Sequence, residues 1–345
     1  MAEQRRDGDI KKICIIGAGS FGTAIAMLLA TKGLSVKIWA REDEIVEGIN
    51  RDHVNPSYLS DIRLPESVIA FHSIQKALAE SQMVVFATPS HALRDVANRV
   101  KSSLKGDEII VSVAKGIEKD TLMTPSQILA DVLEGALLED QIGVLTGPSH
   151  AEEVGKFKPT TVVASAYAKR VSGIIQETFM TPAFRVYLNH DILGAEIGGA
   201  LKNIMAIAAG IVDGAGLGDN AKAALMTRGL HEMKRMGSSL GASQDTFSGL
   251  TGMGDLIVTC MSEHSRNRYV GYNIGKGASL EEIRSGMSMI AEGVKTARSV
   301  SQWSERNSVE MPITDAVCRV LFEGLDPKDA VDQLMTRNAK DEIMI

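Results

Sequence analysis

Short apolar runs alternate with helix-patterned stretches from Lys12 to Leu188. Lys12–Ile16 is a brief apolar run ending in glycines, and Ala24–Ala30 continues as a good helix former. After the helix stop at Lys32-Gly33, Val36–Ala40 reads as a second strand. Met83–Ala87 is almost uninterruptedly apolar, the pattern of a strand buried on both faces. It breaks at Thr88-Pro89-Ser90, and His91–Leu104 then resumes helical spacing. Ile109–Ala114, Ile142–Leu145, Thr161–Ala164 and Phe184–Leu188 supply further strands. This alternation predicts an α/β architecture with a mostly parallel, doubly wound sheet.

Past Asn189 the texture changes. Ile192–Val212 is apolar and rich in Ala and Gly, without β-branched alternation. Asn220–Met236, Leu280–Ser285, Ile290–Asn307, Thr314–Glu323 and Pro327–Met335 all favour helix. The expectation is two domains: residues 1–190 around the sheet, and an all-helical C-terminal domain over 191–345. The length of 345 residues agrees, being long for one compact unit.

Composition narrows the function classes. A net charge of −6 argues against a nucleic-acid partner, which would demand a basic face to displace counterions. It leaves room for a small anionic substrate in a locally positive pocket. The charged segment MAEQRRDGDIKK lacks the apolar run of a secretory signal, and no membrane span is expected. Cys14, Cys260 and Cys318 are far apart in apolar surroundings, as buried free thiols of a cytoplasmic protein would be. The seven histidines show no metal-ligand spacing, so no metal is expected.

Gly17-Ala18-Gly19-Ser20-Phe21-Gly22 matches GxGxxG, a weak signal alone. Here it follows a strand, opens a helix and begins a βαβ unit, the context of a Rossmann-like dinucleotide site. Gly17 would make the tight turn, Gly19 would admit the pyrophosphate, and Gly22 would let helix and strand pack closely. After the second strand comes Arg41, with Glu42 and Asp43 only beyond it. Arg41 is either a solvated loop residue or a partner for a 2′-phosphate, which favours NADP(H) while leaving NAD(H) open.

Four further segments carry unusual polar residues. Lys115 lies just past a strand end, and Gly147-Pro148-Ser149 follows another. Lys202-Asn203 interrupts the apolar helix, so the lysine either snorkels to water or faces a pocket. The glycine-dense LTGMGD segment ends in Asp255, and Ser265-Arg266-Asn267 is either a polar loop or a phosphate-binding set.

Together, GAGSFGTAIA, VSVAKGIE, LTGPSHAEEV, GALKNIMAIAAG, LTGMGDLIVTC and SRNRYVG resemble the bacterial, cytoplasmic NAD(P)-dependent sn-glycerol-3-phosphate dehydrogenases, from Lys12 to about Thr336. The resemblance implies interconversion of dihydroxyacetone phosphate and glycerol 3-phosphate for phospholipid synthesis. It implies Lys202 as proton donor and acceptor, with Lys115 beside the substrate carbonyl. Asp255 and Asn267 would help fix the hydroxyls, and Gly147, Ser149, Ser265 and Arg266 would complete the substrate site. Cofactor contacts would come from Ser20, Phe21, Arg41, Lys115, Ala151, Arg266, Ile290 and Glu292; Phe21 stands where many bacterial relatives carry Trp. A homodimer is expected from the Ala/Gly-rich helical part. Two rivals are another two-domain reductase, which the Ser-Arg-Asn triplet and LTGMGD speak against, and a non-catalytic cofactor sensor, which retention of both lysines speaks against.

Overall fold

Eight strands form one sheet in the computed structural model, which describes residues 10–287, 291–339 and 341–342. They are β1 (Lys12–Ile16), β2 (Ser35–Trp39), β3 (Val68–Phe71), β4 (Met83–Phe86), β5 (Ile109–Ser112), β6 (Ile142–Thr146), β7 (Thr160–Ala166) and β8 (Phe184–Leu188). Their order is β3-β2-β1-β4-β5-β6-β7-β8. Every neighbouring pair is parallel except β6 and β7. The continuous apolar runs of β4 and β5 occupy the middle, where helices cover both faces and every residue is buried. β3 is absent from the sequence reading. It is a four-residue edge strand with Val68 and Ala70 inward and Ile69 half exposed, too short for a clear alternation.

The strand order reverses beside β1, where β2 and β4 flank it. In open parallel sheets the crevice at such a point, at the carboxyl ends, is where ligands bind. The chain leaves β1 into Gly17, β4 into Ala87-Thr88, β5 into Val113-Ala114-Lys115, and β6 into Gly147. Because these four strands are parallel, their exits share one edge of the sheet. The candidate residues therefore begin as neighbours.

Beyond β8 every described element is helical. The axis of this half is the helix Ile192–Gly214, begun by the Asp191 carboxylate accepting from Gly194 N at 2.8 Å. It is long and apolar enough to cross a membrane by length and composition, yet its most apolar window is wholly buried inside the protein. The helix Arg266–Gly275 crosses it at backbone contact. A Cβ at Gly271 would sit 1.9 Å from Ile207 O, and one at Gly210 would sit 2.1 Å from Arg268 O. Glycine is required there by space. Glu196 on the same long helix ties it to the sheet half, accepting from Ser126 N at 2.7 Å and Ser126 Oγ at 2.6 Å. Burial pushes this carboxyl up to about 7 despite those donors. The three cysteines are buried and free.

Candidate active site

The glycine loop has the conformation its sequence demands. Gly17 lies at φ +114°, and a Cβ there would meet Ala87 O at 2.9 Å. A Cβ on Gly22 would fall 2.1 Å from Gly17 O, so the first turn of the helix Ser20–Thr31 lies directly on the loop. Gly19 faces open space, with nothing within 4 Å of a Cβ, and no side chain caps the N–H groups of that first turn. These are the features of a backbone cradle for a pyrophosphate. Asn55, fully buried, holds the loop from behind by donating to Ala18 O and Thr23 Oγ1, each at 2.8 Å. It was not legible in the sequence, lying in an irregular stretch far from the motif.

The other cofactor candidates surround this loop unevenly. Phe21 is half-buried against the sheet core. Ala151 opens a one-turn helix packed against Ser20–Thr31. Arg41 follows β2 with its side chain 79% exposed and donates to the Glu42 carboxylate at 2.8 Å. Glu292 begins the helix Glu292–Asn307 and accepts from Ser90 Oγ, which reaches it from the end of β4. Ile290 lies outside the described residues.

Two lysines converge on one carboxylate. Lys202 Nζ donates to Asp255 Oδ1 at 2.7 Å and to Thr259 Oγ1 at 2.7 Å. Lys115 Nζ donates to Asp255 Oδ2 at 2.7 Å and to Gly147 O at 2.9 Å. An ammonium has three donors, so each keeps one beyond these bonds. Lys202 and Asp255 are both buried, at 6% and 1% exposure. Thus Lys202 does not snorkel. Burial lowers its pKa; Asp255 opposes the fall and Lys115 adds to it, leaving it at about 8. Burial alone would raise the Asp255 pKa, but Lys115 and Lys202 outweigh it and hold the carboxyl below its usual range.

Asp255 reaches this position because LTGMGD is not a loop. A π-helical turn over Leu250–Gly254 feeds a helix, Asp255–Met261, which presents Asp255 and Thr259 four residues apart on one face. Thr259 was missed because the glycines hid that helix. Similarly, Ser265-Arg266-Asn267 is the start of the helix Arg266–Gly275, with Ser265 Oγ accepting from Arg268 N at 3.2 Å. Asn267 donates to Asn203 Oδ1 at 2.9 Å and accepts from Gly293 N at 2.9 Å, linking three helices beside Lys202. Arg266 stands exposed on the first turn. Ser149 Oγ donates to Gly147 O, the carbonyl that Lys115 also uses. The sequence candidates Lys115, Gly147, Ser149, Lys202 and Asp255 thus form one cluster, while Arg41 stands apart at the end of β2.

Comparison with known proteins agrees with this geometry. The family description NAD-dependent glycerol-3-phosphate dehydrogenase N-terminus matches residues 12–172, and its C-terminus counterpart matches residues 191–332. A protein of Salinibacter ruber named glycerol-3-phosphate dehydrogenase, NAD(P)+, is 54% identical over 330 residues, 96% of each chain. One of the same name from Clostridium tetani is 49% identical, covering 96% of this chain and 94% of its own. The crystal structure of a glycerol-3-phosphate dehydrogenase from Coxiella burnetii superposes with a TM-score of 0.90 at 37% identity, covering 95% of this chain and 99% of that one. Family and fold are therefore established together, and the chain belongs to the NAD-dependent glycerol-3-phosphate dehydrogenases.

Proposed function

We propose that this chain interconverts dihydroxyacetone phosphate and sn-glycerol 3-phosphate, with residues 1–190 holding the dinucleotide and 191–345 the substrate. The observation that carries this reading is the pair of lysines bridged by Asp255 at the sheet's carboxyl edge. The relatives' names support the substrate and the use of NAD(P)+. The open face of Gly19, the uncapped helix start and the tight Gly17–Gly22 packing suit a dinucleotide. NAD(P)H, when bound, supplies the hydride. Ser20, Phe21, Ala151 and Glu292 line its place, and Arg41 favours the 2′-phosphate of NADP(H) over the bare ribose of NAD(H).

The protein's own work is electrostatic. Reducing a ketone puts negative charge on its oxygen, and the remaining N–H of Lys202 meets that charge and donates the proton. Lys115 adds a second cation beside the same oxygen. Asp255 holds both ammonium groups in place, so little reorganisation is needed as charge develops. Ser265, Arg266 and Asn267, at the start of one helix, take the phosphate.

The reading extends to the protein's setting: cytoplasmic glycerol 3-phosphate for phospholipid synthesis, made by a homodimer. Met253 on the turn before the Asp255 helix, and Ile257 and Met261 on that helix, recur every fourth residue and are 41%, 41% and 61% exposed, an apolar stripe suited to a second copy. Sedimentation equilibrium giving the monomer mass would rule the dimer out. The activity itself is tested by nicotinamide absorbance. NADPH should be consumed when dihydroxyacetone phosphate is added, and a flat trace would overturn the assignment.

A further inference from the structure

Ser90 ends the strand break Thr88-Pro89-Ser90, and the roles above give it no task of its own. It opens a single turn, Ser90–Ala92, between β4 and the helix Leu93–Lys101, and it is buried at 5% exposure. Its Oγ donates to Glu292 Oε2, across the boundary between the sheet half and the helical half. Gly116, one residue past Lys115, packs on this pair. A Cβ there would fall 2.4 Å from Ser90 Oγ and 3.3 Å from Glu292 Oε2, so glycine is what lets the two stay together. The exits of β4 and β5 and the start of the helix Glu292–Asn307 therefore meet at one hydrogen bond.

The backbone at Glu292 is placed independently of that bond. Gly293 N donates to Asn267 Oδ1 at 2.9 Å, and a Cβ on Gly293 would meet Asn203 O at 2.6 Å. Ser90 thus governs the Glu292 side chain rather than its helix. That side chain is 17% exposed, and its Oε1 has no hydrogen-bond donor among the described residues, with His91 Nδ1 standing off at 3.9 Å. A carboxylate engaged by one donor keeps lone pairs for a ligand. On the proposed reading the nicotinamide must reach the carbonyl that meets Lys202 and Lys115, while Arg41 after β2 takes the far, adenosine end. The junction beside Lys115 therefore belongs to the nicotinamide half. We infer that Ser90 is a positioning residue, whose hydroxyl fixes the Glu292 carboxylate to accept from the amide or ribose hydroxyls of that half. This inference rests on the reading of Glu292 as a cofactor contact.

The test is equilibrium titration with NADPH and with adenosine 2′,5′-bisphosphate, which lacks the nicotinamide half. Ser90→Ala should weaken NADPH about three- to tenfold, the cost of ordering a freed side chain on binding. It should leave the bisphosphate unchanged, which also reports that the fold survives. Glu292→Ala should weaken NADPH by at least about tenfold. The double variant should lose no more than Glu292→Ala alone, because Ser90 acts through that carboxylate. A serine that merely supports the fold would weaken both nucleotides or add its loss to that of Glu292→Ala, and either result would overturn the inference. So would an unchanged NADPH affinity in Ser90→Ala when Glu292→Ala shows the loss. If Glu292→Ala binds NADPH as the parent does, the reading of Glu292 falls as well. A parent that binds neither nucleotide would overturn the dinucleotide reading, and that is measured first.

Discussion

Lys202 and Asp255 form a buried ion pair, Nζ to Oδ1 at 2.7 Å, and the carboxylate's second oxygen is held by Lys115. Two cations on one anion leave a net positive charge in a place shielded from water, where electrostatic effects are strong. Burial of such charges is unfavourable unless each is paired, and here each is. The arrangement suits a site that must receive an oxyanion.

A pH dependence follows from the same three residues. Ketone reduction needs protonated Lys202, so its kcat/KM should fall as pH rises through about 8. Alcohol oxidation needs the neutral amine and should rise through the same range. Asp255 holds the lysine's pKa up against burial and Lys115, so Asp255→Asn should move both limbs to lower pH. Paired pH–rate profiles check this, and limbs that stay in place in the variant would speak against it.

Arg266→Ala should raise KM for dihydroxyacetone phosphate by about tenfold or more, since a charge-assisted contact to the phosphate is lost. The kcat should change less. Steady-state kinetics with the phosphorylated ketone decide it, and an unaltered KM would remove Arg266 from the phosphate site.

Arg41 has a different reach. Its side chain is largely in solvent and bonded to Glu42, free to turn toward a cofactor phosphate. Arg41→Asp should weaken NADPH more than NADH, because an attractive charge becomes a repulsive one. The ratio of kcat/KM for the two cofactors is the readout, and a constant ratio would place the preference elsewhere.

Two glycines separate space from flexibility. Gly271→Ala forces a Cβ to within 1.9 Å of Ile207 O, and the two helices cannot part without moving Asn267 from Asn203. It should destabilise by about 3 kcal/mol or more. Gly173, in the helix Lys169–Phe179, has nothing within 4 Å of its Cβ position. Gly173→Ala should therefore stabilise by about 0.5–1 kcal/mol through helix propensity. Denaturant unfolding measures both, and equal midpoints would show that the helix crossing adjusts.

The sequence was most informative where one physical signal dominated. β4 and β5 were legible because burial on both faces leaves an apolar run, and Lys202 because a charge on so apolar a helix stands out. Where two signals competed, the stronger concealed the weaker. Glycines in LTGMGD masked the helix that aligns Asp255 with Thr259, and a serine cap followed by polar residues made the start of Arg266–Gly275 resemble a loop. Asn55 gains its meaning only from partners distant in sequence, so no local pattern could reveal it. The sign of the Lys202 shift was likewise hidden, because it depends on burial set against two opposite charges.

The central claim is that Lys202 is the general acid and base, and Lys202→Met tests it most directly. Methionine keeps much of the aliphatic length and the helix propensity while removing the ammonium. Circular dichroism and NADPH titration should match the parent, since the glycine loop lies on the sheet half. Single-turnover reduction of dihydroxyacetone phosphate by the NADPH-loaded variant should be slower by at least about a hundredfold, the lower end for losing a positioned acid. A folded, NADPH-binding variant that reduces the ketone at nearly the parental rate would contradict the account and shift the role to Lys115.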